Sequence, residues 1–358
     1  DQPRSRGLGD VYKRQPHDCA FCNQVKITNY KDKMEPSKVI GEIEKNLEYF
    51  PDNDNLKEIA FFGGSFTGLD TEVMLGYLTI AKNYKEKGII DRIRLSTRPD
   101  YINNSILDIL KEYKVDIIEL GIQSLCQEVL DANERGHSVE ESYRASKLIK
   151  EAGFTLGHQI MPGLYKDTYE KTIASVIQSI DIGPDIVRIY PTLVIKETKL
   201  AMLYNAGIYK LLSLNEAIEV SNEAAMLYKY ADINIIRIGL QPTENINEGT
   251  DVIGGPFHPA IGQLVESEIY KKYLEELIRE NNLKDEIIIF TNDRNISLIA
   301  GNNKSNKKYF YDEYKLKLKF KSSDENFIEY EGKKLDFDLD DFIDRHISKN
   351  YGGDLILD

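Results

Sequence analysis

Between residues 58 and 192 the sequence alternates five short apolar runs with four amphipathic stretches. The apolar runs are candidate strands at Glu58–Phe62, Arg92–Thr97, Asp116–Ile122, Phe154–Met161 and Ile186–Tyr190. The amphipathic stretches are candidate helices at Thr71–Lys87, Ser105–Tyr113, Ser138–Ala152 and Thr168–Asp181, and an earlier helix is expected from Ser37 to Tyr49. Strands separated by helices of this length form parallel βα units. The sequence therefore predicts an α/β fold with a parallel sheet.

The predicted strands share a second property, because each ends in glycine, proline or polar residues. The five strand ends read Gly63-Gly64-Ser65, Ser96-Thr97-Arg98-Pro99, Gly121-Ile122-Gln123-Ser124, Met161-Pro162-Gly163 and Tyr190-Pro191-Thr192. In a βα barrel these ends meet at one face and carry the site, whereas a doubly wound sheet concentrates function at one switch point. A plain turn explains any one of them. The succession of all five favours a barrel.

The helix ends and the rest of the chain complete this outline. Asp70 is a predicted N-cap, Ser138 and Glu141 a capping box, and Gly153 a left-handed helix end. Downstream, the pattern predicts helices at 197–206, 214–231 and 261–280, a strand at Asn234–Leu240, strands at Ile287–Thr291, Lys315–Phe320 and Phe327–Tyr330, a polar loop at Asn302–Lys308 and a helix at Asp338–Ser348. We expect a core at 16–240, a loop-and-helix extension at 241–284 and a small α/β appendage at 285–358.

The first 15 residues differ in composition from the rest. They hold Arg4, Arg6 and Arg14 but a single lysine, whereas the remaining chain favours lysine over arginine. They alternate at neither the strand nor the helix period. We therefore expect residues 1–15 to be a foreign or artefactual segment that is disordered or loosely attached, and we exclude it from the fold prediction.

Bulk composition narrows the function classes. The formal net charge of −13 makes nucleic-acid binding less favourable, although a local basic groove remains compatible with it. No apolar run approaches the roughly 18 residues of a membrane span, so the sequence predicts no membrane association. Three cysteines provide no disulfide framework, which fits a reducing cytoplasm.

Two of the three cysteines have the spacing of metal ligands. The stretch from Pro16 contains Cys19-x-x-Cys22, the last two positions of a CxxxCxxC iron–sulfur motif, but the first position is Gln15. Zinc would need two more ligands, and a redox dithiol would sit at a helix start. Cys126 is a conceivable replacement ligand, although a lone cysteine is more often a small buried apolar residue.

Several further segments carry a family resemblance. They are GGSFTG (63–68), LSTRPDYI (95–102), ELGIQS (119–124), ERGHSVEESYRA (134–145), GHQIMPGL (157–164) and RIYPTLVI (188–195). Together they strongly resemble the radical S-adenosylmethionine domain of the Elongator catalytic subunit, from Pro16 to about Leu240. The resemblance implies a partial (β/α)6 barrel, a [4Fe–4S] cluster and reductive cleavage of S-adenosylmethionine. It also implies a tRNA substrate and a reductant such as ferredoxin or flavodoxin.

The resemblance also implies roles for single residues. Cys19 and Cys22 would be cluster ligands, because thiolates suit iron–sulfur clusters. The end of the first predicted strand, Gly63, Gly64 and Ser65, would receive the methionine amino group, since glycine lets the backbone approach a ligand closely.

The other implied contacts follow the cofactor. Arg135 would bind the methionine carboxylate, and Phe21 and Met161 would lie on either side of the adenine. Ser96, Gln123 and His158 would contact the ribose or the adenine. Each has a structural alternative: Arg135 as a surface charge, Phe21 as a core aromatic and His158 as a hydrogen-bonded barrel histidine.

Three departures from the family limit what is transferred. Gln15 replaces a cluster ligand, residues 1–15 replace the family's first strand, which we expect to be missing, and residues 285–358 are too short for the acetyltransferase domain. We therefore expect impaired cluster binding. Alternatives are an enzyme related to oxygen-independent coproporphyrinogen III oxidase, or a non-enzymatic protein that binds S-adenosylmethionine or RNA. A tRNA-binding groove would draw on Arg92, Arg94 and Arg98, or on Lys304, Lys307 and Lys308.

Overall fold

The computed structural model describes residues 19–22, 35–49, 56–62, 64–240 and 251–352. Residues 1–15, with Gln15 and the predicted foreign segment, lie outside these ranges, as does Gly63. The chain divides into two compact units, one of residues 1–213 and 233–257 and the other of residues 214–232 and 258–358. The helix Leu214–Tyr230 thus belongs to the second unit, which differs from its placement in the predicted core at 16–240.

The first unit is built on parallel strands. Its strands are β1 (Glu58–Phe61), β2 (Arg92–Thr97), β3 (Ile117–Gln123), β4 (Thr155–Ile160), β5 (Ile186–Ile189), β6 (Val194–Ile195), β7 (Asn234–Ile238) and β8 (Val252–Gly254). Six of them form a parallel sheet in the order β1-β2-β3-β4-β5-β7 and curl into a half-barrel. The predicted partial (β/α)6 barrel is confirmed. The strands β6 and β8 pair antiparallel beside it.

Helices separate these strands as the sequence predicts. Those of the first unit are Pro36–Leu47, Thr71–Glu86, Asn104–Glu112, Gln127–Ala132, Val139–Glu151, Tyr169–Ile182 and Lys199–Asn205. Asp70 caps one of them by accepting from the Glu72 amide, Ser138 and Glu141 form the capping box, and Gly153 has a φ of +82°. All three local predictions are confirmed.

The second unit is a small α/β structure. Its strands are β9 (Glu286–Thr291), β10 (Lys317–Ser322), β11 (Phe327–Tyr330) and β12 (Lys333–Asp336), in the order β10-β9-β11-β12. Its helices are Leu214–Tyr230, Ile261–Asn281, Asp293–Ala300, Ser305–Tyr314 and Leu339–Tyr351. The predicted loop at Asn302–Lys308 is wrong in its second half, because Phe310 is fully buried and the Asn306 amide donates to the Ser267 carbonyl. Within the described ranges, no helix is both long and apolar enough to cross a membrane.

A buried row of charges crosses the concave face of the half-barrel. Arg94 on β2 pairs with Glu58 on β1 at 2.8 Å and with Glu119 on β3 at 2.9 Å. Arg188 on β5 donates twice to the Glu119 carboxylate, and its guanidinium lies 5.0 Å from the centroid of the Phe62 ring. The two glutamates therefore neutralise the two arginines within the barrel, below the strand ends that carry the candidate site.

Candidate functional site

The loop with the two cysteines is fixed to the first unit through its backbone. The Ala20 amide donates to the Asn133 carbonyl at 3.0 Å, and the Ala20 carbonyl accepts from the Leu200 amide at 2.6 Å. A turn closes inside the loop, since the Cys22 amide donates to the Cys19 carbonyl at 3.1 Å. These backbone hydrogen bonds of residues 19–22 therefore fix the positions of both cysteines.

Two guanidinium groups converge on the sulfur of Cys19, which is 6% exposed. Arg135 donates to the sulfur at 3.2 Å through one Nη and to the Gly121 carbonyl at 2.6 Å through the other. Arg98 approaches the same sulfur at 3.7 Å. The Nε of Arg135 is buried and has no hydrogen-bond partner among the described residues. This surplus of buried positive charge suits an anionic occupant.

Apolar side chains line the other side of the two cysteines. Cys19 and Phe21 belong to one buried cluster, and Cys22, Cys126 and Met161 pack against it. The Arg135 guanidinium lies 5.9 Å from the centroid of the Phe21 ring. The structure thus brings the predicted residues Cys19, Cys22, Phe21, Met161 and Arg135 together. In the part of the chain that is described, no three His, Cys, Asp or Glu side chains are grouped to hold a metal ion.

The end of β3 has an unusual backbone. Gln123 has a φ of +65°, a left-handed conformation that costs a non-glycine residue about 1 kcal/mol or more. Its carbonyl accepts from the Met161 backbone amide at 2.8 Å, and its side-chain oxygen accepts from the Gln159 Nε2 at 3.3 Å. A Cβ on Gly121 would lie 2.8 Å from the Gln123 Nε2 and 3.4 Å from an Arg135 Nη. Sequence reasoning missed Gly121, whose position in the GIQS strand end was the available signal.

The loop after β1 lies against the end of β2. Thr67 in this loop and Thr97 on β2 share a hydrogen bond of 2.6 Å between their hydroxyls. Ser65 is buried, whereas Gly64 and Ser96 are half-buried. These three predicted residues therefore lie at the strand ends, and their roles remain predictions.

His158 is placed away from the other candidates. It is 1% exposed, and its two ring nitrogens lie 2.9 Å from the Ser146 hydroxyl and 2.8 Å from the Ser179 hydroxyl, on helices outside the sheet. Burial, followed by the charge of Lys150, lowers its pKa to about 3. The neutral imidazole thus joins the sheet to its helices, which favours the structural alternative over contact with a cofactor.

A second histidine, which sequence reasoning missed, lies next to the site. His137 is 3% exposed and its imidazole lies beside the backbone of Ile122, although neither ring nitrogen meets the geometry of a full hydrogen bond with a described residue. Burial, followed by the charges of Arg135 and Arg98, lowers its pKa to about 3. The imidazole is therefore neutral. Its place in the ERGH segment, two residues after Arg135, was the only signal in the sequence.

The predicted basic groove is wrong for two of its arginines. Arg94 is 8% exposed and ion-paired with Glu58 and Glu119, and Arg98 is 3% exposed and paired with Asp100. A buried, paired guanidinium cannot reach the phosphates of an RNA. Arg92 is exposed, as are Lys304 and Lys308, whereas Lys307 is half-buried.

Comparison with known proteins indicates the family of the chain. The family model of the radical SAM superfamily matches residues 15–176, and that of the radical SAM C-terminal domain matches residues 184–271. A tRNA uridine(34) acetyltransferase of Methanocaldococcus infernus is 31% identical over 184 residues, which are 50% of this chain and 33% of that protein. The chain thus spans about a third of that relative's length. An uncharacterized protein of Methanocaldococcus jannaschii is 30% identical over 61% of this chain and 68% of its own length.

A solved structure has a similar fold. The archaeal Elp3 of Methanocaldococcus infernus, with residues 1–46 deleted, superimposes with a TM-score of 0.56 at 26% identity and covers 67% of this chain and 58% of its own. The two family models together span the described site from Cys19 to Met161 and continue through the sixth strand of the half-barrel. The chain therefore belongs to the radical SAM superfamily.

Proposed function

We propose that this chain binds a [4Fe–4S] cluster and S-adenosylmethionine at the C-terminal ends of its strands and cleaves S-adenosylmethionine reductively. The observation that carries the proposal is the convergence of Arg135 and Arg98 on the Cys19 sulfur, in a chain of this superfamily. When bound, the cluster supplies the electron that splits S-adenosylmethionine into methionine and a 5′-deoxyadenosyl radical.

The donor set fits such a cluster at two ligand positions. Cys19 and Cys22 provide two sulfur ligands with CxxC spacing. The neighbouring guanidinium groups offset the negative charge of a thiolate-bound cluster. The first position of the motif is Gln15, and a neutral amide is a poor substitute for a thiolate. We therefore propose that the chain binds the cluster weakly.

The surrounding residues would hold S-adenosylmethionine. Arg135 has an unpartnered Nε in addition to its bond to Gly121, so its guanidinium would bind the methionine carboxylate. Phe21 and Met161 would exclude water on the apolar side. Ser96 and Gln123 would contact the ribose or adenine, and the strand end Gly63-Gly64-Ser65 would receive the amino group.

Reconstitution tests the proposal. Chains with Gln15 and with Gln15→Cys are loaded anaerobically with iron and sulfide, reduced, and incubated with S-adenosylmethionine. We expect low iron content with Gln15, and a rise toward the four irons of a [4Fe–4S] cluster with Gln15→Cys, accompanied by 5′-deoxyadenosine. Equal iron content and equal cleavage in both chains would contradict the proposed impairment. If neither chain binds iron and neither forms 5′-deoxyadenosine, the result would favour a non-enzymatic binding protein.

We propose tRNA as the substrate and ferredoxin or flavodoxin as the reductant. The support is the naming of relatives as tRNA uridine(34) acetyltransferase and Elongator complex protein 3, of which this chain covers 33% and 24%. Binding of tRNA to the Gln15→Cys chain, measured at several salt concentrations, tests the substrate. Phosphate recognition predicts an affinity that falls steeply as salt rises, because counterions are released. If the chain does not bind tRNA at low salt but still cleaves S-adenosylmethionine, the substrate would instead be a small molecule or a protein.

A further inference from the structure

Arg98 is the second guanidinium at the Cys19 sulfur. It directly follows β2 and is 3% exposed, and one Nη lies 3.7 Å from the sulfur. The remaining donors are turned the other way, since Nε and the second Nη donate to the Asp100 carboxylate at 2.9 and 3.0 Å. Such a two-point contact holds the planar guanidinium in one orientation. Arg98 therefore bridges a carboxylate and a candidate ligand sulfur.

The local chain geometry supports this bridge. Pro99 begins a short 3₁₀ turn, Pro99–Tyr101, which brings the Asp100 carboxylate back toward Arg98. The Arg98 guanidinium lies 5.9 Å from the centroid of the Tyr101 ring, and that ring lies 3.1 Å from the position a Cβ would take on Gly68. The turn thus connects Arg98, which contacts Cys19, with Gly68 in the loop after β1. Because these contacts surround the Arg98 side chain, it has little freedom to leave Cys19.

The two arginines at this sulfur have different charge surroundings. Arg98 is neutralised by Asp100, whereas the guanidinium of Arg135 donates to the Gly121 carbonyl and the Cys19 sulfur. Arg135 is thus left with binding capacity for an anionic ligand, which agrees with its proposed contact to a carboxylate. In Arg98, by contrast, Nε and one Nη donate to the Asp100 carboxylate, and the other Nη is directed at the Cys19 sulfur.

We infer that Arg98, oriented by Asp100, is a positioning residue for Cys19 that stabilises the reduced, more negative state of the cluster. The inference rests on the proposed function, because it concerns the cluster that Cys19 would bind. Hydrogen bonds to cluster and ligand sulfurs, together with the net charge nearby, set the reduction potential of iron–sulfur clusters. Removal of this donor should therefore lower the potential while the cluster stays bound.

The test uses the full chain with Gln15→Cys, reconstituted anaerobically. Arg98→Gln and Arg98→Lys are added to it, and Arg92→Gln, an exposed position at the other end of the same strand, is the matched control. Iron content reports cluster binding, and electron paramagnetic resonance during a redox titration gives the midpoint potential. Thermal unfolding of the cluster-free chains separates a folding defect from an effect on the potential.

We expect iron content to be retained in all the variants. At the potential where half of the Gln15→Cys cluster is reduced, Arg98→Gln should lower the ratio of reduced to oxidised cluster about tenfold, or about 59 mV for one electron. Arg98→Lys should restore part of this loss, because it keeps the charge without the fork. Unchanged potential in Arg98→Gln, or an equal change in Arg92→Gln, would overturn the inference alone. If the Gln15→Cys chain binds no cluster at all, both this inference and the proposed function would be overturned.

Discussion

At the scale of single residues, Gly121 leaves space for the side chain of Gln123 at the candidate site. Replacement of Gly121 by alanine would place a Cβ 2.8 Å from the Gln123 Nε2 and 3.4 Å from an Arg135 Nη. We expect Gly121→Ala to displace the side-chain amide of Gln123, a proposed ribose or adenine contact, and to weaken S-adenosylmethionine binding up to about tenfold, the cost of one hydrogen bond. Equilibrium dialysis with the reconstituted Gln15→Cys chain measures this.

A helical glycine provides the control for that change. Gly76 lies within Thr71–Glu86, and a Cβ there would meet no atom within 4 Å. Gly76→Ala should therefore leave binding unchanged and stabilise the fold by about 0.5–1 kcal/mol, since alanine favours the helix. Equal affinity of Gly121→Ala and Gly76→Ala for S-adenosylmethionine would contradict the account of Gly121.

The buried His158 predicts how stability depends on pH. Its folded pKa of about 3 lies below the usual 6.5, so the unfolded chain binds the extra proton and stability falls as pH drops below about 6.5. His158→Asn removes this group. We expect the slope of unfolding free energy between pH 6 and 4 to decrease by about 1.4 kcal/mol per pH unit relative to the unmodified chain. Urea unfolding at several pH values measures both slopes, and identical slopes would refute a neutral buried imidazole.

At the scale of elements, the buried charges tie four strands together. Glu119 on β3 accepts from Arg94 on β2 and from Arg188 on β5, and Arg94 reaches Glu58 on β1. Glu119→Gln would leave two buried guanidinium groups with one carboxylate, so we expect a loss of about 3–5 kcal/mol in unfolding free energy. Glu128→Gln, which removes an exposed partner of Lys171, is the control and should cause no measurable loss. Comparable urea midpoints for both variants would contradict this role of Glu119.

The same elements separate what the sequence could predict from what it could not. The strand Arg92–Thr97 is found with the predicted bounds, because apolar runs and helix caps are local signals. The strands β6 and β8 were missed, since two or three residues carry no period. The burial of Arg94 was also missed, because its partner Glu119 lies 25 positions away and only the fold brings them together.

The candidate site shows the same limit. Cys19 and Arg135 are 116 positions apart, so the family resemblance rather than any local pattern placed them together. Periodicity did not reveal which face of β4 carries His158, because Leu156, Gly157 and His158 are buried in succession and show no alternation. Arg98 was assigned to an RNA surface because a sequence shows charge but not burial.

At the scale of the whole molecule, the chain combines a superfamily half-barrel with a second unit that carries a four-stranded sheet. The relatives named tRNA uridine(34) acetyltransferase are matched over 25–33% of their length, so the reaction class has more support than the substrate. The central claim is therefore that Cys19 and Cys22 provide the cluster through which S-adenosylmethionine is cleaved.

The most direct test of that claim is the yield of 5′-deoxyadenosine per chain in the reduced, reconstituted Gln15→Cys protein when single cysteines are removed. Cys19→Ser removes the sulfur that both arginines approach, whereas Cys126→Ser removes a thiol that packs against the same apolar cluster. The account predicts that Cys19→Ser abolishes the product and that Cys126→Ser retains it. Product retained in Cys19→Ser, or abolished in Cys126→Ser at equal folded stability, would contradict it.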